Sequence, residues 1–204
     1  MNSSHPHLEV VIAPLGTAGA TLPNNAAGGL AYSVGTAIAF RIPSFLYYTA
    51  GLFVLPAFES RSFSLDAESN TYEFTSRYLS TTVGLSFAGR VNVGLAVNIP
   101  TSLTMASFVS NFPGQTLSLP LSVANVILEP RVAFSIPLSP SGFSGNTLTI
   151  FAEGGYPLKP VLNADVHSAL SSNLLNVRSI KLPHVQIGLS YVFTIFSTRP
   201  SGLL

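Results

Sequence analysis

The chain has no cysteine among its 204 residues. A disulfide framework, a thiolate nucleophile and a cysteine-ligated metal site are therefore excluded. Charged residues are scarce as well: they make up 8% of the chain, whereas an ordinary soluble domain has about 25%. So few charges leave little with which to cover a water-facing surface. The net charge of +1 gives no reason to expect a nucleic acid as partner.

Long apolar runs are also missing. No stretch approaches the roughly 18 to 20 apolar residues that a membrane-spanning helix needs. The opening residues, MNSSHPHLEV, have neither a basic start nor an apolar segment, so we recognise no signal peptide in them. Glycine and proline interrupt stretches rich in β-branched and aromatic residues, and no strong helix pattern occurs. The sequence therefore predicts a single all-β domain over residues 1–204.

What the chain does contain is apolar alternation with a period of two. In RVNVGLAVNI, residues 90–99, every second side chain is large and apolar, which indicates a strand with two unlike faces. The predicted strands are residues 7–15, 29–42, 45–57, 73–87, 90–100, 123–137, 146–157 and 183–196, followed by a tail at 197–204. Their connections alternate between short turns and long loops, which is typical of an outer-membrane barrel.

The two faces indicate which side of the strands meets water. One face of each strand carries large apolar residues, such as Leu30, Val97 and Ile187, and the other carries small or polar residues. The interior of an eight-stranded barrel is just wide enough for side chains to fill it. Bulky residues from every strand cannot all fit there, so we expect the apolar face to point outward into lipid. The interior is expected to be filled and not to form an open pore.

Charged residues on the small, polar face are expected to pair inside the barrel, because an unpaired charge in a closed interior is very costly. By strand parity this structural charge cluster comprises Glu9, Arg41, Arg90, Glu129, Arg131 and Glu153. Arg41 and Arg90 adjoin turns, and a position in water at the strand ends is an equal alternative for them. Pro130 cannot donate a ladder hydrogen bond, so we expect a bulge or a local break at this position.

The chain resembles the small eight-stranded outer-membrane barrels, such as the OmpA transmembrane domain, OmpX and OmpW, over nearly its whole length. The sharpest element is the last strand, QIGLSYVF, which is similar to their assembly signal through Gln186, Gly188, Tyr191 and Phe193. The resemblance implies an antiparallel up-and-down transmembrane barrel in a bacterial outer membrane. The chain departs from the pattern by continuing beyond its terminal aromatic residue.

Enzymatic chemistry is not indicated. The segment DVHSALSSN offers Asp165, His167 and Ser168, but neighbouring loop residues do not make an oriented nucleophile and base. His5 and His7 could share a strand face and touch a metal, although we favour a solvated terminus for them. We therefore expect no catalytic residues, no metal and no cofactor.

The predicted loops 101–122 and 158–182 are more apolar than solvated loops usually are. They either fold over the barrel mouth or bind a protein partner, and we favour the partner. The expected role is therefore a structural, anchoring or interaction subunit in contact with membrane lipid. The alternatives are OmpW-like transport of small hydrophobic molecules, which needs a gap in the wall, and a soluble β-sandwich of the viral coat or adhesion type.

Overall fold

The computed structural model describes residues 8–24, 26–43, 49–67, 70–88, 90–109, 112–119, 121, 124–138, 146–162 and 180–198. Its strands are β1 (Glu9–Thr21), β2 (Ala27–Pro43), β3 (Thr49–Ala67), β4 (Asn70–Phe87), β5 (Val91–Val109), β6 (Phe112–Ser118), β7 (Ile127–Pro137), β8 (Asn146–Gly155) and β9 (His184–Ser197). In this part of the chain there is no helix with the length and hydropathy needed to cross a membrane.

Eight of these strands close into one ring. β1 pairs antiparallel with β2 on one side and with β9 on the other, and β5 pairs with both β4 and β7. The full ring runs β1-β2-β3-β4-β5-β7-β8-β9 and returns to β1. Closure gives every strand of the ring two hydrogen-bonded neighbours, so the ring has no free edge. The predicted eight-stranded antiparallel barrel is confirmed.

The large apolar side chains lie on the outside of this ring. In β5, Leu95 is 46% exposed and Ile99 is 49% exposed, whereas the intervening Ala96 and Asn98 are fully buried. The same division holds around the barrel, where Leu30 is 72% exposed and its neighbour Ala31 is 1% exposed. The direction predicted for the apolar face is therefore correct. Small residues face inward because the interior of such a narrow barrel has no room for large ones from every strand.

Several strands continue beyond their predicted ends. The β3–β4 ladder runs in unbroken register to the pair Ala67–Asn70, although residues 58–72 were expected to form a long loop. The connection between β1 and β2 is likewise confined to residues 22–26. Each predicted strand ends where the alternation of large apolar residues fades. The backbone hydrogen bonds nevertheless continue through the following residues, whose outward side chains are small or polar. The predicted long loops 101–122 and 158–182 adjoin one rim, where β5 and β8 end and β7 and β9 begin; it is called here the long-loop rim. The opposite rim, where β2, β4 and β7 end and β3, β5 and β8 begin, is the short-turn rim.

The expected loop 101–122 contains much of a hairpin. β5 extends to Val109, and β6 folds back antiparallel along its outer part, from the pair Val109–Phe112 to the pair Thr104–Ser118. β6 lies outside the ring, because β7 pairs with the other part of β5. The strand predicted at 123–137 begins later, at Ile127.

The bulge or break predicted at Pro130 is absent. The β5–β7 register is continuous from Val91–Phe134 to Asn98–Ile127, with Leu95 opposite Pro130. The Pro130 carbonyl accepts a hydrogen bond from the Tyr156 amide at 3.1 Å, so the backbone groups of Pro130 face the end of β8 and not β5. The missing proline N–H therefore costs no hydrogen bond to β5, and the barrel wall stays closed there.

Apolar residues fill the barrel mouth at the long-loop rim. This mouth cluster comprises Phe63, Phe74, Tyr78, Leu103, Leu119, Ile127, Val161, Leu162, Ile180 and Leu182, all buried. The rings of Phe63 and Phe74 stack with centroids 4.9 Å apart. Backbone hydrogen bonds fix the entering segments: Leu119 donates to Leu103, and Val161 donates to Ile180.

The mouth cluster should contribute strongly to stability. We expect Leu103→Ala to lower the free energy of unfolding by about 2–5 kcal/mol, since it leaves a cavity among packed neighbours. Leu121→Ala is the matched control: Leu121 is 45% exposed near the same rim, and its loss should cost within about 0.5 kcal/mol. Urea titration in detergent micelles measures both. Equal losses of stability in the two variants would contradict the packing of Leu103 in the mouth cluster.

Candidate functional site

Two glutamate–arginine pairs face each other inside the barrel. Glu59 and Arg61 lie two residues apart on β3, and Glu129 and Arg131 lie two residues apart on β7. A spacing of two puts both members of a pair on the same face of a strand. Each of the four side chains is at least 95% buried, because none is more than 5% exposed. We call these four residues the lumen charge layer.

Arg61 bridges the two strands by binding both carboxylates. Its Nη1 donates to Glu129 Oε1 at 2.9 Å, and its Nη2 donates to Glu129 Oε2 at 2.6 Å. The same Nη2 donates to Glu59 Oε2 at 2.7 Å. The two contacts to Glu129 form a bidentate pair, which is the strongest arrangement of an arginine and a carboxylate. β3 and β7 are not neighbours in the ring, so these contacts cross the lumen.

Arg131 makes the reciprocal crossing. Its Nη1 lies 2.6 Å from Glu59 Oε1, and its Nη2 donates to Glu59 Oε2 at 2.9 Å. On its own strand, Arg131 Nη2 donates to Glu129 Oε2 at 2.8 Å and Nε donates to the same oxygen at 3.1 Å. Two carboxylates and two guanidiniums thus form a closed set whose formal charges sum to zero. Such balance is what makes the burial of four charges tolerable.

Neighbouring polar side chains add hydrogen bonds to the layer. Asn98 Nδ2 donates to Glu129 Oε2 at 3.0 Å, and Asn98 Oδ1 accepts from Arg131 Nη2 at 3.1 Å. Asn98 Oδ1 also accepts from Ser80 Oγ at 2.7 Å. The Arg61 guanidinium lies 5.8 Å from the centroid of the Tyr78 ring, within cation–π range. Strands β3, β4, β5 and β7 therefore all contribute to one network.

His184 extends the network toward β8. Its Nδ1 lies 3.2 Å from Glu129 Oε1, and its Nε2 lies 3.9 Å from Glu153 Oε1. The His184 and Glu153 side chains are both buried. A Cβ at Gly155 would lie 2.5 Å from His184 Cε1 and 2.8 Å from Glu129 Cδ. Only glycine fits at this position of β8, because any other residue would collide with the imidazole and the carboxylate.

The six charges predicted from strand parity do not all meet. Glu129 and Arg131 lie in the lumen charge layer, and Glu153 is buried beside His184. Arg90 does not join them: it is exposed at the turn between β4 and β5, where solvent satisfies it. Glu9 is half-buried at the short-turn rim, opposite Arg41 in the β1–β2 register. The Arg41 side chain lies outside the part that the structure describes.

Sequence reasoning missed half of the lumen charge layer. Glu59 and Arg61 were assigned to a loop because strand three was ended at residue 57. The available signal was parity: Phe53 and Leu55 line the interior and Ala57 is buried, and two further steps of two reach Glu59 and Arg61. Asn98 and His184 were also not singled out, although each lies on the inward face of its strand.

The residues of the assembly-signal pattern divide between the two faces of β9. Gln186 is buried and accepts a hydrogen bond from Thr17 Oγ1 on β1. A Cβ at Gly188 would lie 2.7 Å from Phe151 Cζ, so this glycine makes room for an inward ring. Tyr191 and Phe193 are exposed, with ring centroids 4.6 Å apart. Their part in barrel assembly stays a prediction.

The candidate catalytic and metal-binding residues from the sequence lie in parts of the chain that the structure does not describe. Asp165, His167, Ser168, His5 and His7 all lie outside the described residues. Within the described ranges there is no group of three or more histidine, aspartate or glutamate residues placed to hold a metal ion.

Several apolar residues in the described parts of the two expected partner loops are buried inside the chain. In 101–122, Leu103 and Leu119 are buried, and in 158–182, Val161, Leu162 and Ile180 are buried. Packing within the chain accounts for the apolar character of these five residues, and a protein partner for the loops stays a prediction. These residues fold into the barrel mouth, which is the alternative that the sequence left open.

Comparisons with known proteins return outer-membrane barrels. Neisserial surface protein A (NspA) has 8% identity over 91% of this chain and 97% of its own, with a TM-score of 0.39. Ail, the attachment invasion locus protein of Yersinia pestis, solved with the heparin analogue sucrose octasulfate, has 14% identity over 93% and 99%, with a TM-score of 0.37. The translocator domain of the autotransporter NalP from Neisseria meningitidis has 10% identity over 94% and 90%, with a TM-score of 0.27.

NspA and Ail are small eight-stranded outer-membrane barrels, the class that the sequence resembles. With TM-scores this low, the barrel of this chain rests on its own strand pairing and not on these similarities. No protein-family model matches the chain. No curated protein matches it either.

Removing one charge from the lumen charge layer should be costly. We expect Arg61→Met to lower the free energy of unfolding by about 3–5 kcal/mol, because it leaves two carboxylates facing one guanidinium. The double variant Arg61→Met with Glu59→Gln restores the charge balance of the layer. It should therefore lose less free energy of unfolding than Arg61→Met alone. Arg77→Met on the exposed side of β4 is the control and should change stability by less than about 1 kcal/mol.

Urea titration at several salt concentrations measures all three variants. The loss of unfolding free energy caused by Arg61→Met should depend little on the salt concentration, because buried charges are screened much less than exposed ones. A double variant less stable than the single one would show that charge balance is not what stabilises the layer.

Proposed function

We propose that the chain is a bacterial outer-membrane barrel with a non-catalytic anchoring or interaction role and a closed interior. The observation that carries the proposal is the inverted distribution of polarity. Large apolar side chains cover the outside of the ring, and four balanced charges lie inside it. A barrel in water would need the opposite arrangement. A hydrocarbon environment accommodates this one, because all ladder hydrogen bonds are made within the closed ring.

The closed interior argues against a general pore. The lumen charge layer crosses the barrel from β3 to β7, and the mouth cluster fills the lumen on the side of the long-loop rim. Water-filled channels belong to much larger barrels, since eight strands leave room only for side chains or one small ligand.

An interaction role would use the exposed residues of the long-loop rim. The apolar side chains of the mouth cluster are already buried, so a partner would meet the exposed residues around them, which include Leu121 and Leu158 as well as charged residues. Asp66, Glu73, Arg77 and Lys159 are exposed there and carry both signs of charge. This mixture favours a protein or glycan partner of low net charge over a strongly anionic one.

The two alternative functions lose their structural support. Lateral transport of hydrophobic molecules needs a gap in the wall and an apolar pocket, and Pro130 does not supply the gap, because the β5–β7 register is continuous there. A soluble β-sandwich needed the large apolar faces to meet between two sheets, whereas Leu95 and its counterparts point away from the barrel.

The lipid-facing assignment predicts different effects for two leucines of equal exposure. Leu95 in mid-strand is 46% exposed and Leu121 beyond the long-loop rim is 45% exposed. We expect Leu95→Arg to destabilise the barrel in lipid vesicles by about 2–4 kcal/mol, because the charge enters hydrocarbon. Leu121→Arg should cost about 1 kcal/mol or less, because this position meets water.

Urea-induced unfolding from vesicles, followed by the gel mobility of unboiled samples, gives both values. Equal tolerance of the two arginines would overturn the membrane assignment. A chain that folds without detergent or lipid would overturn it as well.

The closed interior predicts an electrically silent barrel. Reconstituted into planar bilayers, the chain should produce no steady ohmic steps, because the mouth cluster and the lumen charge layer leave no continuous aqueous path. A reproducible conductance that scales with protein amount would contradict the closed interior while leaving the membrane location intact.

A further inference from the structure

A cavity of about 130 Å³ lies inside the barrel between the lumen charge layer and the short-turn rim. Arg131 and Glu153 border its inner end, and Ser86 and Asn92, near the β4–β5 turn, border it toward the rim. The mouth cluster lies on the other side of the charge layer. The cavity is therefore separate from the long-loop rim that the proposed interaction role would use.

The cavity exists because the inward side chains at this level are small. Its walls include Ala13, Ala37, Ala39 and Ala133, each on a strand that places larger residues outward. Among the described residues, the large apolar side chains that line it are Val11, Leu15, Phe53, Leu55, Phe151 and Val192. The inward rings of Phe53 and Phe151 give it flat aromatic walls. Tight packing is the rule in protein interiors, so unfilled space of this size inside a narrow barrel is an exception.

The charged residues at its inner end do not make it an anion site. Both terminal nitrogens of Arg131 bind Glu59, and its Nε binds Glu129. An incoming carboxylate or phosphate would have to break these contacts and would leave a buried glutamate unpaired. The remaining polar groups of the lining are hydroxyl and amide groups, such as those of Ser86 and Asn92, and the Glu153 carboxylate, which lies 3.9 Å from His184 Nε2.

We propose that this cavity binds a small, neutral, predominantly apolar molecule of about the size of a benzene ring. An engineered apolar cavity of about 150 Å³ in another protein binds benzene. Here the aromatic and methyl walls supply the contacts, and Arg131, whose nitrogens are bound to Glu59 and Glu129, offers no free partner to an anion. The proposal goes beyond the anchoring role, because it needs only the closed fold and not the membrane.

The probe for the test is fluorobenzene, followed by ¹⁹F NMR in detergent micelles that contain the folded barrel. We expect a saturable change in chemical shift above the partition into empty micelles, with a dissociation constant on the order of 1 mM. 4-Fluorobenzoate should give no saturable component. A wild-type barrel without saturable fluorobenzene binding would overturn the proposal, and equal binding of the benzoate would overturn the neutral class.

Two alanines at the same level of the barrel supply a matched pair of variants. Ala133 lines the cavity, and Ala152 on the adjacent strand faces outward. Ala133→Leu should fill the cavity and weaken fluorobenzene binding by about tenfold or more, whereas Ala152→Leu should leave it unchanged.

The mobility of unboiled samples reports whether each variant has folded. If Ala133→Leu does not fold, the smaller change Ala39→Val at the opposite wall serves in its place. Unchanged fluorobenzene binding in a folded cavity-filling variant would place the probe elsewhere and overturn the proposal. Leu95→Arg, which tests the membrane role, lies outside the cavity, so the two proposals fail independently.

Discussion

The balanced pairing of two arginines with two glutamates across the lumen is the constraint on which the interior depends. Glu59 and Arg61 come from one side of the ring, and Glu129 and Arg131 come from another. Neither pair could be buried alone at this depth without large cost, since each guanidinium needs the carboxylate of the opposite strand. The charge layer therefore requires the ring to be closed and in the correct register. In return, it fixes the distance between β3 and β7.

The rest of the interior follows from this layer. Toward the long-loop rim, segments 161–162 and 180–182 enter the lumen and pack with Phe63 and Phe74, because apolar residues there have no lipid to contact. Toward the short-turn rim, alanine replaces larger residues and a cavity is left. The interior thus has three levels, of which only one is polar enough to need charge balance.

The site could be predicted from the sequence only in part. Alternation placed Glu129 and Arg131 on the inward face correctly, because both lie within a strongly alternating strand. Glu59 and Arg61 were missed because the large apolar partners that mark a strand give way to serine beyond Phe58. Strand length there is set by continuous pairing with β4, and hydrogen bonds between distant segments leave no local pattern. Arg90 shows the converse. Its parity matches the inward face, but β5 begins only at Val91, so Arg90 lies in the exposed turn before the strand.

The sequence by itself determined the all-β class, the two unlike faces and the direction in which each must point. These depend on a period of two and on side-chain volume, which are local properties. Only the tertiary structure decided which charges meet, that Pro130 leaves the wall intact, and that apolar loop residues fold inward. Those outcomes depend on which strands become neighbours and in what register, and closure of the ring fixes both.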